Sequence, residues 1–378
     1  MTQNMTEQVN TIANKKDNVF SFLKSRIVSG EYIPGYKFPS EPELSKELGV
    51  GRITLRAALD RLEKTGFVVR SPGKGTFVAS EKQEKKGLKN FLALTYNPMG
   101  DIQHPTTYIM PSIIKTCAAN DIDIDILSIS FLRSLSEKHA FTVLDKIGYD
   151  GVILDGSFFL GTEKEVKILK ALNKPVLIPH SKLEDNITTG FATMNTDYKQ
   201  AWTEALRHIA EQGHKNILTL GALSNENKLS LRGFEEKEYL DFLAFEGINP
   251  DPGLLHFTPY NYTGLTKLLS EVFKLPQPPT AILCFSDFYA MNVYDSLNSL
   301  SIKIPEDVAV MGYCGYPGAH MMSPPLSTVD CEYAEIGKMA VEILNNSAEW
   351  FNKAGERPPH IISPHKLVVR ESTRNKIG

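Results

Sequence analysis

Residues 38–79 read FPSEPELSKELGVGRITLRAALDRLEKTGFVVRSPGKGTFVA, and this stretch limits the possible fold more than any other. Ser40 followed three residues later by Glu43 is a capping-box signature, and Pro42 fits inside a first helical turn. A short helix therefore runs to about Glu47 and closes at Gly49. A second helix, near 52–65, turns Leu55, Ala58, Leu59 and Leu62 inward and stops at Gly66. FVVR, the tight SPGKG turn and TFVA then make a hairpin. Upstream, Val19, Phe20, Leu23, Ile27 and Val28 share one stripe of a helix over 19–29, which Gly30 ends. Three helices and a β-hairpin in this order form a winged helix-turn-helix.

The second of those close-set helices presents Arg52, Thr54 and Arg56 near its N-terminus. Arg52 and Arg56 are four residues apart, hence on one helical face. A recognition helix enters the major groove with its N-terminal residues toward base edges. Arginine suits bidentate contact with guanine, and threonine bonds phosphate or touches a thymine methyl. Lys74 lies between Gly73 and Gly75, which lets the hairpin tip come close to a nucleic-acid backbone or minor groove. Charge agrees with this placement. Residues 1–90 hold 16 Lys+Arg against 10 Asp+Glu, whereas the other 288 residues hold 25 against 34. A basic module on an acidic body points to a polyanionic partner at one end, double-stranded DNA above all.

A chain of 378 residues exceeds what one core usually organises, so more than one domain is expected. There is no apolar run long enough to span a membrane, and the N-terminus MTQNMTEQVNTIANKKDN lacks a signal peptide's apolar region. Cys117, Cys284, Cys314 and Cys331 are scattered without metal-ligand spacing, as for reduced thiols. A cytoplasmic protein with no membrane partner is expected.

The segment SEKQEKKGLK, within a linker over 80–90, is charged and reads as a tether. Beyond it, apolar strand patterns alternate with helical ones. The strands are expected at 91–96, 123–129, 151–156, 175–180, 216–221, 281–286 and 308–313. YKQAWTEALRHIAEQG and FYAMNVYDSLNSL are among the helices. This alternation predicts an α/β body over 91–378 with parallel sheets, in two lobes with a cleft between them.

Two family resemblances follow from these residues. "YIPGYKFPSEPELSKELGV", "RITLRAALDRLEKTGFV" and "GKGTFV" resemble the DNA-binding domain of GntR-family transcription regulators. That resemblance implies base contacts from Arg52 and Arg56, and phosphate contacts from Thr54 and the wing at Gly73, Lys74 and Gly75. Ser40 joins the expected interface. The family usually has arginine after the Ser-Glu pair, where this chain has Pro42, so the operator sequence does not transfer. "YDGVILDG", "PVLIPH", "GHKNILTLGAL", "PTAILCFSDFYAMNV", "IPEDVAVMGY" and "PPLSTVD" resemble the LacI/GalR-type, periplasmic-binding-protein-like effector domain. The pairing resembles regulators of the arabinose-repressor type. It implies an N-lobe of about 91–193 and 314–358, a C-lobe of about 194–313 and 359–378, and a homodimer on a near-palindromic operator. It also implies a small-molecule effector in the cleft, with sugars among the candidates.

Sugar-binding members usually keep arginine three residues before the Gly-Phe pair and aspartate after Gly-Tyr. Here those positions are Ser230 and Cys314, with Arg232 beside Gly233. Other effector candidates come from strand ends and loops, where α/β crevices lie. They are Tyr96, Asp101, His104, Asp155, His180, Tyr260 and Ser286. Each has a plainer reading. Asp287 reads as an N-cap, Cys314 as a small buried filler, Asp155 as a partner for loop amides, and His180 as an ordinary loop histidine. Phosphate-cradling, zinc-protease and nucleophile-elbow motifs are absent from the sequence. No catalytic residue, metal or cofactor is therefore expected. The second reading is a cytosolic small-molecule-binding protein or enzyme whose basic N-terminal module is incidental.

Overall fold

The computed structural model describes residues 15–28, 30–64, 66–71, 74–79, 89–96, 104–223, 229–259 and 263–374. The expected tether lies almost wholly outside these residues, as do Gly73, Asp101 and Tyr260.

The head comprises α1 (Lys15–Val28), α2 (Glu41–Glu47), α3 (Arg52–Lys64), β1 (Val68–Ser71) and β2 (Gly75–Val78). The α1 helix begins four residues before the expected position. β1 and β2 are antiparallel in the register Ser71↔Gly75, which leaves a three-residue tip at the wing. Fourteen buried apolar residues form the core, including Phe20, Leu23, Leu44, Leu55, Leu59, Leu62 and Val78. At Gly75 the backbone takes φ 117°, and any Cβ there would meet Lys37 Cε at 3.1 Å, so the turn calls for glycine.

The body continues with β3 (Asn90–Thr95), α4 (Thr106–Ala119), β4 (Asp123–Ser128), α5 (Ile129–Ser134), α6 (Glu137–Ile147) and β5 (Gly151–Leu154). Next come α7 (Lys164–Leu172), β6 (Val176–Ile178), α8 (Leu183–Thr189) and β7 (Ala192–Thr196). Then follow α9 (Tyr198–Glu211), β8 (Ile217–Leu223), β9 (Leu229–Ser230), α10 (Glu236–Phe245), β10 (Leu255–Pro259) and α11 (Leu265–Val272). The chain closes with β11 (Ala281–Cys284), α12 (Asp287–Ser299), β12 (Ala309–Cys314), β13 (Ser327–Asp330), α13 (Tyr333–Asn345), β14 (His360–Ser363) and β15 (Lys366–Val368).

Contacts divide the chain into two units, 1–193 with 337–360, and 194–336 with 361–378. In the first, strands run in the order β14-β7-β6-β5-β3-β4, and β4, β3, β5, β6 and β7 are mutually parallel. Strands such as β5, buried at every residue, read as continuous apolar runs because helices cover both faces of a parallel sheet. The head packs on the edge strand β4 of this unit. Lys24 pairs with Asp125, their side chains 7% and 10% exposed, and Arg61 donates to the Ile124 carbonyl at 3.3 Å. Arg61 thereby satisfies one carbonyl of that open edge.

The second unit has the order β10-β8-β11-β12-β13-β15, with β9 beside β8. Its strands are parallel except for the β13–β15 and β8–β9 pairs. This arrangement corrects the expected lobe boundary at 314–358. β13 pairs in register with β12, from Met311↔Ser327 to Cys314↔Asp330, so residues 314–336 stay in the second unit. STVD has one strongly apolar residue, yet between β12 and β15 its first three residues are buried.

Candidate functional site

The start of α3 is built for exposure. Leu55, Ala58, Leu59 and Leu62 anchor the helix in the head's core, which leaves Arg52 and Arg56 exposed and Thr54 half-buried at its first turns. Arg56 donates to one oxygen of Glu41, from Nε at 3.1 Å and from Nη2 at 2.8 Å. Sequence reasoning missed Glu41, because fifteen residues separate it from its partner. The capping box is present. Glu43 Oε2 accepts from the Ser40 amide at 3.0 Å and its hydroxyl at 2.7 Å, and these bonds hold the Glu43 carboxyl below its usual range.

The wing is fixed to the recognition helix by Arg70, another residue without a sequence signal. Its Nη1 pairs with Asp60 at 2.6 Å, and its amide donates to Glu63 at 3.2 Å. Exposed Lys74 stands at the tip, and its amide closes the turn on the Ser71 carbonyl at 2.9 Å. A groove between the wing and the start of α2 is lined by Lys37, Ser40, Glu43, Lys74 and Thr76. Arg52, Thr54, Arg56, Ser40, Lys74 and Gly75 all belong to this one small domain.

The expected effector residues fare differently. In the first unit, Asp155 is buried and accepts from Thr106 Oγ1 and from the Tyr96 amide, the latter at 3.3 Å. It joins the end of β3 to the start of α4. Tyr96 donates its hydroxyl to Glu165 at 3.1 Å and accepts from Arg133 at 2.6 Å. Burial pushes the Tyr96 phenol up to about 12, with the Glu165 charge adding to it. Burial alone would raise the Glu165 carboxyl, but hydrogen bonds led by Arg133 outweigh it and hold the group below its ordinary value. His104 Nδ1 accepts from the Thr106 amide at 3.4 Å, capping the start of α4. His180 occupies a left-handed position (φ 61°) in the turn after β6.

In the second unit, Ser286 is the N-cap of α12, accepting from the Tyr289 amide at 3.3 Å. The expectation that Asp287 caps this helix is therefore corrected by one residue. Asp287 instead lies buried beneath β12 and β13, accepting from the Tyr316 amide and Thr328 Oγ1, both at 2.6 Å. Burial raises its carboxyl to about 7 against those bonds. Ser230 sits in β9, paired with Ala222 of β8.

Arg232 is the most singular candidate. Its backbone is left-handed (φ 53°), uncommon for a residue with a side chain. The guanidinium packs 3.7 Å from the Phe285 ring centroid and 4.2 Å from that of Tyr313. Nη2 donates to the Phe285 carbonyl and approaches Cys314 Sγ at 3.5 Å, while the buried Nε has no hydrogen-bond partner among the described residues. Cys314 is itself left-handed (φ 101°) and buried, and burial raises its thiol although Arg232 opposes the shift. Two strained residues thus converge beside the ends of β11 and β12. Phe285, Tyr313 and Tyr198 were missed because nothing in a linear pattern marks aromatic rings that enclose a distant arginine.

Among the described residues, no group of three His, Cys, Asp or Glu side chains is placed to hold a metal ion. No helix among them is long and apolar enough to cross a membrane.

Comparison with known proteins agrees with this anatomy. Residues 15–78 match bacterial regulatory proteins of the gntR family, and residues 206–373 match the periplasmic binding protein-like domain. The chain therefore joins a winged-helix head similar to gntR-family regulatory proteins to an α/β body similar to periplasmic binding proteins. It is similar to the arabinose metabolism transcriptional repressor of Halalkalibacterium halodurans, 26% identical over 93% of this chain and 94% of that one. It is also similar to the repressor CytR of Escherichia coli, 26% identical over 58% of this chain and 63% of that one. Among solved structures, a LacI-family regulatory protein from Chloroflexus aggregans superposes with a TM-score of 0.59. It is 21% identical and covers 75% of this chain and 98% of that one.

Proposed function

We propose that this protein is an effector-responsive transcription repressor that binds a near-palindromic operator as a homodimer. The observation that carries the reading is the exposed Arg52–Thr54–Arg56 tip, set beside a lysine-tipped wing on a head joined to a binding-protein-like body. Two heads related by a dyad fit half-sites about one helical turn apart. It acts in the cytoplasm, without catalysis. The similarity to arabinose repressors supports a carbohydrate-related effector. Arg232, with its partnerless Nε, is the group proposed to hydrogen-bond that effector at the strand ends of the second unit. An effector shifts DNA affinity only through its different affinities for two states of the protein.

Fluorescence anisotropy with labelled DNA from upstream of the protein's own gene, against a random duplex of equal length, tests the reading. Tighter binding to the upstream DNA, changed by one member of a sugar panel, is expected. Equal binding to both duplexes at every salt concentration would refute sequence-selective regulation.

A further inference from the structure

We infer that Ile53 reads a thymine in the operator by packing against its C5 methyl group, an inference that rests on the DNA-binding reading above. Ile53 is 81% exposed, among the most exposed large apolar side chains described. A lone exposed aliphatic residue is ordinary on a protein surface. The setting of this one is not ordinary. It is the second residue of α3, between Arg52 and Thr54 and three residues before Arg56, so it shares the exposed tip with both cations. The core does not need it, because Leu55, Ala58, Leu59 and Leu62 already fill the buried face of the helix.

The composition of that first turn is a second indication. A helix start favours acidic side chains, which complement its partial positive charge, yet the first turn of α3 has none. The turn carries a cation and a branched aliphatic group where solvent alone would select carboxylates. In the major groove the donors and acceptors of guanine suit Arg52 and Arg56, and the thymine methyl is the apolar feature offered there. An isoleucine held between two arginines therefore selects thymine next to the guanine positions. Thr54 remains available for the backbone.

Uracil differs from thymine only in lacking that methyl, which makes the test direct. Duplexes selected from a random library by the full-length protein would be remade with each thymine replaced in turn by uracil. One symmetry-related thymine position is expected to lose affinity by about fourfold for each methyl buried. Ile53→Ala should lose a similar factor on the thymine duplex and be insensitive to uracil at that position, whereas Ile53→Val should stay sensitive. Circular dichroism melting should show both variants folded, since the side chain is exposed. If no position responds to uracil, or the response persists undiminished in Ile53→Ala, the assignment to Ile53 is overturned while the DNA-binding reading stands. If selection yields no preferred sequence at all, both fall together.

Discussion

Arg56 and Glu41 are joined by two hydrogen bonds to a single carboxylate oxygen, with the arginine side chain 65% exposed and the glutamate 28%. The acid of α2 thus holds an arginine of α3 that is proposed to read bases. Such an exposed pair is weak and salt-screened, so DNA can displace it. Glu41→Gln should free Arg56, remove a negative charge near the phosphates, and tighten operator binding by roughly two- to fivefold at low salt. An unchanged or weaker affinity in an anisotropy titration would mean that the pair orients Arg56 productively instead of restraining it.

Arg52 and Arg56 should behave differently from Lys74. Arg52→Ala and Arg56→Ala are each expected to lower specific affinity roughly ten- to hundredfold and to relax base preference. Lys74→Ala should weaken specific and random DNA alike, and should reduce the slope of log affinity against log salt by about one. The check is one set of titrations on both duplexes at several salt concentrations.

Gly312 in β12 leaves no room for a side chain. A Cβ there would lie 2.2 Å from Asp287 Oδ1 and 2.8 Å from Leu326 Cδ2. Gly312→Ala should displace the buried carboxylate that ties α12 to β12 and β13, at a cost of about 2–4 kcal/mol. Urea unfolding followed by intrinsic fluorescence would show it, and the head should retain its affinity for random DNA.

The same carboxylate gives the fold a pH dependence of definite sign. Burial raises Asp287 to about 7 in the folded protein, whereas an unfolded aspartate titrates near 3.9. The folded state therefore holds the proton more tightly. Its contribution to stability is complete below about pH 4 and is lost as pH rises toward 7. Asp287→Asn should flatten this part of the profile. A slope over that range as steep in the variant as in the parent would assign it to other groups.

Arg232→Lys tests the effector assignment apart from folding. Lysine keeps the charge among the aromatic rings but removes the planar set of donors. The variant should keep its operator affinity without ligand and lose the effector-induced change, read in the same anisotropy assay with the responding sugar.

Much of this molecule was legible in its sequence, because its strongest signals are local. The capping box at Ser40 and Glu43, the 3.6-residue spacing of Leu55, Leu59 and Leu62, and the glycine turn before Thr76 each act within a few residues. Short-range sterics and hydrogen bonding therefore mark the elements of the winged head within the sequence itself. The apolar runs of β3, β5, β8, β11 and β12 are equally local, since strands covered on both faces must be apolar throughout. What tertiary structure decided are the contacts between residues far apart in the chain. STVD became β13 through its pairing with β12 and β15, which moved the lobe boundary, and Asp287 left its expected cap to bind Tyr316 and Thr328. Glu41 found Arg56, and Arg232 found Phe285, Tyr313 and Cys314, by the same route. A linear pattern specifies which face of an element is buried; which group meets it there is fixed by how the elements pack.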